Sequence, residues 1–164
     1  MNKKFELLLD DTITIFGIKL FRIKALISFG NVEEGELGGY IEKEDNLSVS
    51  GNAWVYGDAR VSGDARVSGD AEVYGNAWVH GNAWVSGDAE VYGNADYIVF
   101  KNHWSSGRYF TYTKSNKMWR VGCFYGTGQE LIKKAYQDSE VSGKHYEAYV
   151  EFVEKLEKLE ETND

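Results

Sequence analysis

Seven basic side chains, Lys101, Arg108, Lys114, Lys117, Arg120, Lys133 and Lys134, face a single acid, Glu130, in one stretch of a chain whose formal charge is −8. Trp104, Tyr109, Phe110, Tyr112, Trp119, Phe124 and Tyr125 are interleaved with them. Cations grip phosphate and aromatic rings stack on bases, so this mixture suits a nucleotide or a single strand. Ser105-Ser106-Gly107-Arg108 reads as a polar loop carrying backbone donors and a guanidinium. Gly126-Thr127-Gly128 leads into a helix N-terminus, where aligned amides favour an anion. The candidate ligand-binding residues are therefore Trp104, Ser106, Arg108, Tyr109, Tyr112, Arg120 and Thr127. Neither a Walker spacing nor a dinucleotide fingerprint accompanies them. The competing reading is that the aromatics build a small α+β core whose rim the lysines solvate.

Other chemistries have less to stand on. His80, His103 and His145 are scattered with no close pair, so neither zinc nor any other metal is expected, and no cofactor. The lone Cys123 rules out an intrachain disulfide and fits a reducing compartment. An acidic balance with pI near 4.9 makes duplex nucleic acid a poor partner. No run of 18 apolar residues suggests a membrane span, and the N-terminus lacks a signal-peptide core, which favours a soluble protein of the cytosol.

The elements that must position these residues are dominated by one repeat. Gly-(Asn/Asp)-Ala-x-Val-x recurs with glycine at 51, 57, 63, 69, 75, 81, 87 and 93. A six-residue period with small apolar residues two apart is the signature of a β-helix. Alanine and valine point inward, the residue between them outward, and glycine with Asn/Asp turns the corner. Asp58, Asp64, Asp70 and Asp88 exchange freely with Asn52, Asn76, Asn82 and Asn94, so the corner needs turn geometry and not charge. Extended back one unit, with Leu47 and Val49 in the Ala and Val positions, nine units from Asp45 to Ile98 make three coils of about 18 residues. At that period Trp54 stacks on Glu72 and Glu90, Arg60 on Trp78, and Arg66 on Trp84. Tyr56, Tyr74 and Tyr92 form another column.

Three coils of alanine and valine bury little area and need caps. Residues 1–44 read as an N-terminal β-hairpin cap, with strands Lys4–Leu9 and Ile18–Leu26 and turns at Asp10-Asp11 and Phe16-Gly17. Residues 45–98 are the repeat. Residues 99–164 form a C-terminal α+β module, with strands near Tyr97–Phe100, Arg108–Thr113 and Met118–Phe124. Thr127 and Glu130 make a capping box for a helix through about Gln137. A second helix opens at Ser142-Gly143, with Tyr146, Tyr149, Val150, Val153, Leu156 and Leu159 as its buried stripe. Trp54, Trp78 and Trp84 point outward, and exposed tryptophans mark a covered surface. With Tyr56, Tyr74 and Tyr92 they are the candidate oligomer interface.

Arg22–Leu26, Phe29-Gly30-Asn31-Val32, Gly35–Glu42 and Asn46-Leu47-Ser48, running into Gly-Asn-Ala-Trp-Val at 51, together resemble uncharacterised hexapeptide-repeat proteins of bacteriophages and prophages. Gly122–Thr127 ahead of a helix is similar to their tail module. The resemblance implies a left-handed winding, so the expected fold is mainly β, a short left-handed parallel β-helix between an N-terminal β cap and a C-terminal α+β module. It also implies a phage or prophage origin, without catalytic residues to carry over. The expected function is a non-catalytic binding protein of the host cytosol, assembled as a homotrimer, which counters host defence by sequestering a nucleotide signal or blocking a host protein. Two alternatives stand beside it: a structural virion component, and a hexapeptide-repeat acyltransferase using His80 as its base.

Overall fold

The computed structural model describes residues 2–162. The chain begins with a hairpin, β1 (Phe5–Ile15) antiparallel to β2 (Ile18–Ala25), closed by Phe16 and Gly17, both at positive φ. Asp10-Asp11 does not turn the chain. It lies within β1, where the register slips between Leu7 and Thr12 as a bulge. β3 (Leu37–Ile41) then pairs antiparallel with β2 on one side and parallel with β5 on the other. β3 therefore belongs to the parallel stack and does not end a separate cap.

Seven two-residue strands follow: β4 (Trp54–Val55), β5 (Arg60–Val61), β6 (Arg66–Val67), β7 (Glu72–Val73), β8 (Trp78–Val79), β9 (Trp84–Val85) and β10 (Glu90–Val91). They are short because the corner glycines intervene; Gly51 through Gly87 in the repeat hold φ between 59° and 73°. All pairings within the stack are parallel and give three faces, β3-β5-β8, β4-β7-β10 and β6-β9. Trp54 opposes Glu72, Glu72 opposes Glu90, Arg60 opposes Trp78 and Arg66 opposes Trp84, all at an offset of 18 residues. Every repeat alanine and valine from Ala53 to Val91 is buried between the faces.

The expected units at either end depart from this order. Leu47 is buried and bridges Val67, whereas Val49 is 57% exposed. A 3₁₀ turn, Glu44–Asn46, stands where the first unit was expected, and buried Asn46 donates to the carbonyls of Gly63 and Ala65. At the other end a second such turn, Asn94–Asp96, stops the repeat. Ile98 falls in an antiparallel strand and not in a ninth unit.

That strand is β11 (Tyr97–Lys101), the first of a meander with β12 (Tyr109–Thr113), β13 (Met118–Val121) and β14 (Phe124–Thr127). The single strand expected over Met118–Phe124 is a hairpin, turned at Gly122-Cys123. Helix α1 (Gly128–Asp138) and helix α2 (Glu140–Thr162) pack on one face of this sheet. α2 starts before Ser142-Gly143, and Gly143 sits where any Cβ would strike the Tyr136 ring at 2.3 Å, so glycine there permits the close crossing of the helices. Tyr146, Val150 and Val153 of the expected stripe are buried against Phe110, Tyr112 and Trp119, while Leu159 is 60% exposed. Among the described residues no helix is long and apolar enough to cross a membrane.

Candidate ligand-binding groove

Alternation along the meander sends its side chains to two destinations. Phe110, Tyr112 and Trp119 face the helices. The row Thr111, Arg120 and Tyr125, directly opposed across β12, β13 and β14, faces the repeat. Thr111 Oγ1 accepts the Trp84 backbone N–H at 2.9 Å. The Arg120 guanidinium lies 3.8 Å from the centre of the Trp84 ring. Tyr125 comes so close to Gly87 that an added Cβ would fall 1.8 Å from its hydroxyl, which is why glycine is required there. The C-terminal sheet is thus docked on the face made by β6 and β9.

A groove of ≈ 470 Å³ opens beside this contact, lined by Asp64, Arg66, Asn82, Trp84, Arg108 and Tyr109, with Gly122 and Cys123 closing it. Arg66 approaches Trp84 to 5.3 Å, so two guanidinium groups share one indole. Arg108 crosses the β13–β14 turn over Gly122. Among the described residues Arg66, Arg108 and Arg120 take part in no ion pair. Arg22 by contrast is matched with Asp11 and Asp58. Asp64, the groove's one carboxylate, is engaged by Lys43 at 3.1 Å. Burial lowers the pKa of Arg120, and its Nε has no hydrogen-bond partner among the described residues. A guanidinium stays charged all the same, so the groove is a concave, cationic and partly aromatic surface within an acidic chain.

The seven expected ligand residues do not form one site. Arg108 and Tyr109 line the groove and Arg120 backs it. Ser106 lies with Arg108 and Cys123 in a neighbouring cavity of ≈ 350 Å³. Tyr112 is buried in the C-terminal core and donates its hydroxyl to Glu157. Trp104 is half-buried, stacked on His145 at 4.4 Å, with its Nε1 donating to Ser142. Thr127 caps α1: its Oγ1 accepts the Glu130 N–H, and Glu130 Oε1 accepts the Thr127 N–H, so the cap uses donors an anion would need. Arg66, Asp64 and Asn82 enter the groove from the repeat. In the sequence Arg66 is marked only by its place in the Trp84 column, the one signal that ties it to the groove.

The tryptophans also divide. Trp54 is fully buried under the N-terminal strands, edge-on to Phe5 and Phe29, and so is not available to an oligomer interface. Trp78 is half-buried beneath Phe16. Both Trp78 and Trp84 donate Nε1 to a serine, Ser62 and Ser68, at 2.7 Å. Tyr56, Tyr74 and Tyr92 do form a ladder, stacked at 4.7 Å on the face of β4, β7 and β10. The histidines are less scattered than their spacing suggested, since His103 and His145 lie 5.7 Å apart beside Trp104. Among the described residues no group of three or more His, Cys, Asp or Glu side chains is arranged to hold a metal ion.

Residues 53–69, 59–73 and 65–81 match the YdcK beta solenoid repeat. This part of the chain is similar to a β-solenoid repeat, in keeping with its parallel stacked strands. No curated protein matches the sequence. The solenoid match covers β4 to β8 and includes Arg66, so one wall of the groove is repeat and the other is the C-terminal module.

Proposed function

We propose that this chain is a non-catalytic binding protein whose groove, between the solenoid and the C-terminal sheet, holds a nucleotide. The observation that carries the reading is that Arg66 and Arg120 share the Trp84 ring while Arg108 lines the same groove, all three without an ion pair among the described residues, in a chain of net charge −8. Unmatched guanidinium groups in a concave site call for a phosphate. Tyr109, 43% exposed at the same groove, offers a surface for stacking.

The fuller reading adds a left-handed winding of about three coils and a homotrimer. The exposed Tyr92 and its stacked partners Tyr74 and Tyr56 supply the contact face. The resemblance to phage and prophage proteins supports action in a host cytosol, where holding a nucleotide signal would blunt defence. His80 is exposed on β3-β5-β8 beside Trp78, away from the groove, which favours binding over acyl transfer.

Native mass spectrometry of the purified chain, followed by identification of what denaturation releases, tests both parts. A trimer that loses a phosphorylated small molecule on denaturation is expected. Triple substitution of Arg108, Tyr109 and Arg120 by alanine should abolish that ligand. Its full retention would sink the assignment of the groove.

A further inference from the structure

The register of the stack changes near its N-terminal end. Tyr40 pairs with Arg60 and Leu47 bridges Val67, an offset of 20 residues, whereas Trp54 pairs with Glu72 at 18. The two extra residues therefore lie between Leu47 and Trp54. Ser48 still donates its N–H to the Val67 carbonyl, so the bulge falls after it and leaves Val49 57% exposed. With the 3₁₀ turn that carries Glu44 and Asp45, this bulge walls a second lobe of ≈ 490 Å³. The lobe shares Arg66 and Trp84 with the arginine groove, so the two lie on either side of that pair.

The two lobes differ in chemistry. One end presents Arg66 and Arg108. The other presents Val49, Ser68 and the carboxylates of Glu44 and Asp45, neither of which is in an ion pair among the described residues. A ligand spanning them must be anionic at one end, and flat with hydrogen-bond donors at the other. From this arrangement, and resting on the nucleotide reading above, we infer that the second lobe selects a nucleobase bearing an exocyclic amino group. The phosphate sits between Arg66 and Arg108. The base lies against Val49 and the edge of Trp84, and its amino hydrogens point at Glu44 and Asp45. An ionised carboxylate only accepts hydrogen bonds. It thus takes the amino group of cytosine and repels the carbonyl that uracil carries at the same position.

Cytidine 5′-monophosphate and uridine 5′-monophosphate, matched in size and phosphate, make the test. Isothermal titration of the intact chain should show the cytidine nucleotide bound about tenfold more tightly. The double variant Glu44→Gln, Asp45→Asn keeps exposed positions polar and should bring that ratio to about one. Arg66→Ala should weaken both nucleotides together, with the circular dichroism spectrum unchanged. Equal binding of the two by the native chain, or a ratio the double variant leaves alone, overturns the base selection while leaving the nucleotide reading intact. Failure of the folded native chain to bind either nucleotide overturns both.

Discussion

Thr111 Oγ1 closes the open edge of the solenoid by accepting the Trp84 backbone N–H. The same device recurs on the other two faces. Ser115 Oγ accepts from Glu90 N at 2.8 Å, and Asn94 Oδ1 from Trp78 N at 3.4 Å. In each of the three last strands one N–H is thus taken by a side chain and not by a further strand. A bare edge would otherwise template pairing with another chain. Docking of the C-terminal sheet is therefore part of how the solenoid ends, and it creates the groove at the same contact.

Thr111→Val tests that edge. Valine matches threonine in shape and removes the acceptor, leaving the Trp84 N–H buried and unpaired. Urea unfolding should show a loss of about 1–3 kcal/mol, and Thr111→Ser should recover most of it. Equal stability of the valine and serine variants would show that the bond contributes nothing.

Gly39→Ala should be among the most damaging single changes in the chain. An added Cβ would stand 2.3 Å from the Ala59 carbonyl oxygen and 2.7 Å from Val55 Cγ1. The first of these is backbone, so relief requires β3 to move off β5. A loss of about 3 kcal/mol is expected, measured as a fall in the urea midpoint with an unchanged slope. Gly17→Ala meets no atom within 4 Å but must keep φ at 81°, so its cost of about 1 kcal/mol comes from backbone conformation alone.

The repeat was legible because its period controls everything local: corners, inward positions and the columns Trp54–Glu72–Glu90, Arg60–Trp78 and Arg66–Trp84 all sit where an offset of 18 places them. The ends were not, because they depend on contacts across the chain. β3 reads as part of a cap until its pairing with β5 is seen. Leu47 and Val49 look equivalent, yet two inserted residues bury one and expose the other. In the C-terminal segment the aromatics were visible but their division was not. Which of Tyr109 and Tyr112 faces the groove follows from strand parity, and parity is fixed only once β12 is placed on the sheet.

Tyr74 holds the centre of the aromatic ladder, with Tyr56 and Tyr92 each stacked on it at 4.7 Å. Tyr74→Ala removes both contacts and should cost about 1–3 kcal/mol, whereas Tyr74→Phe should stay near the native value. Thermal unfolding followed at 222 nm separates the two. Were Tyr74→Phe as damaging as alanine, stacking would not be what the ladder supplies.

Lys4 makes the stability depend on alkaline pH in an unusual direction. Its ammonium is buried at the N-terminal end, where it donates to the carbonyls of Ser48 and Ala53 and lies 4.6 Å from the Phe29 ring centre. Burial lowers its pKa to about 8, against an ordinary value of 10.5, with partial compensation from Asp70. Between those two values the unfolded chain holds a proton that the folded chain has released, so raising the pH across that window favours the folded state. Below about 8 both states are charged, and the folded chain bears the cost of the buried ammonium. Lys4→Met lacks this group. Urea unfolding of both proteins from pH 7 to 10 should therefore show the native chain gaining on the variant above pH 8, by at most about 1.4 kcal/mol per pH unit. A difference that stays flat, or shrinks as pH rises, would mean that Lys4 titrates normally and that its two carbonyl partners hold the charge without penalty.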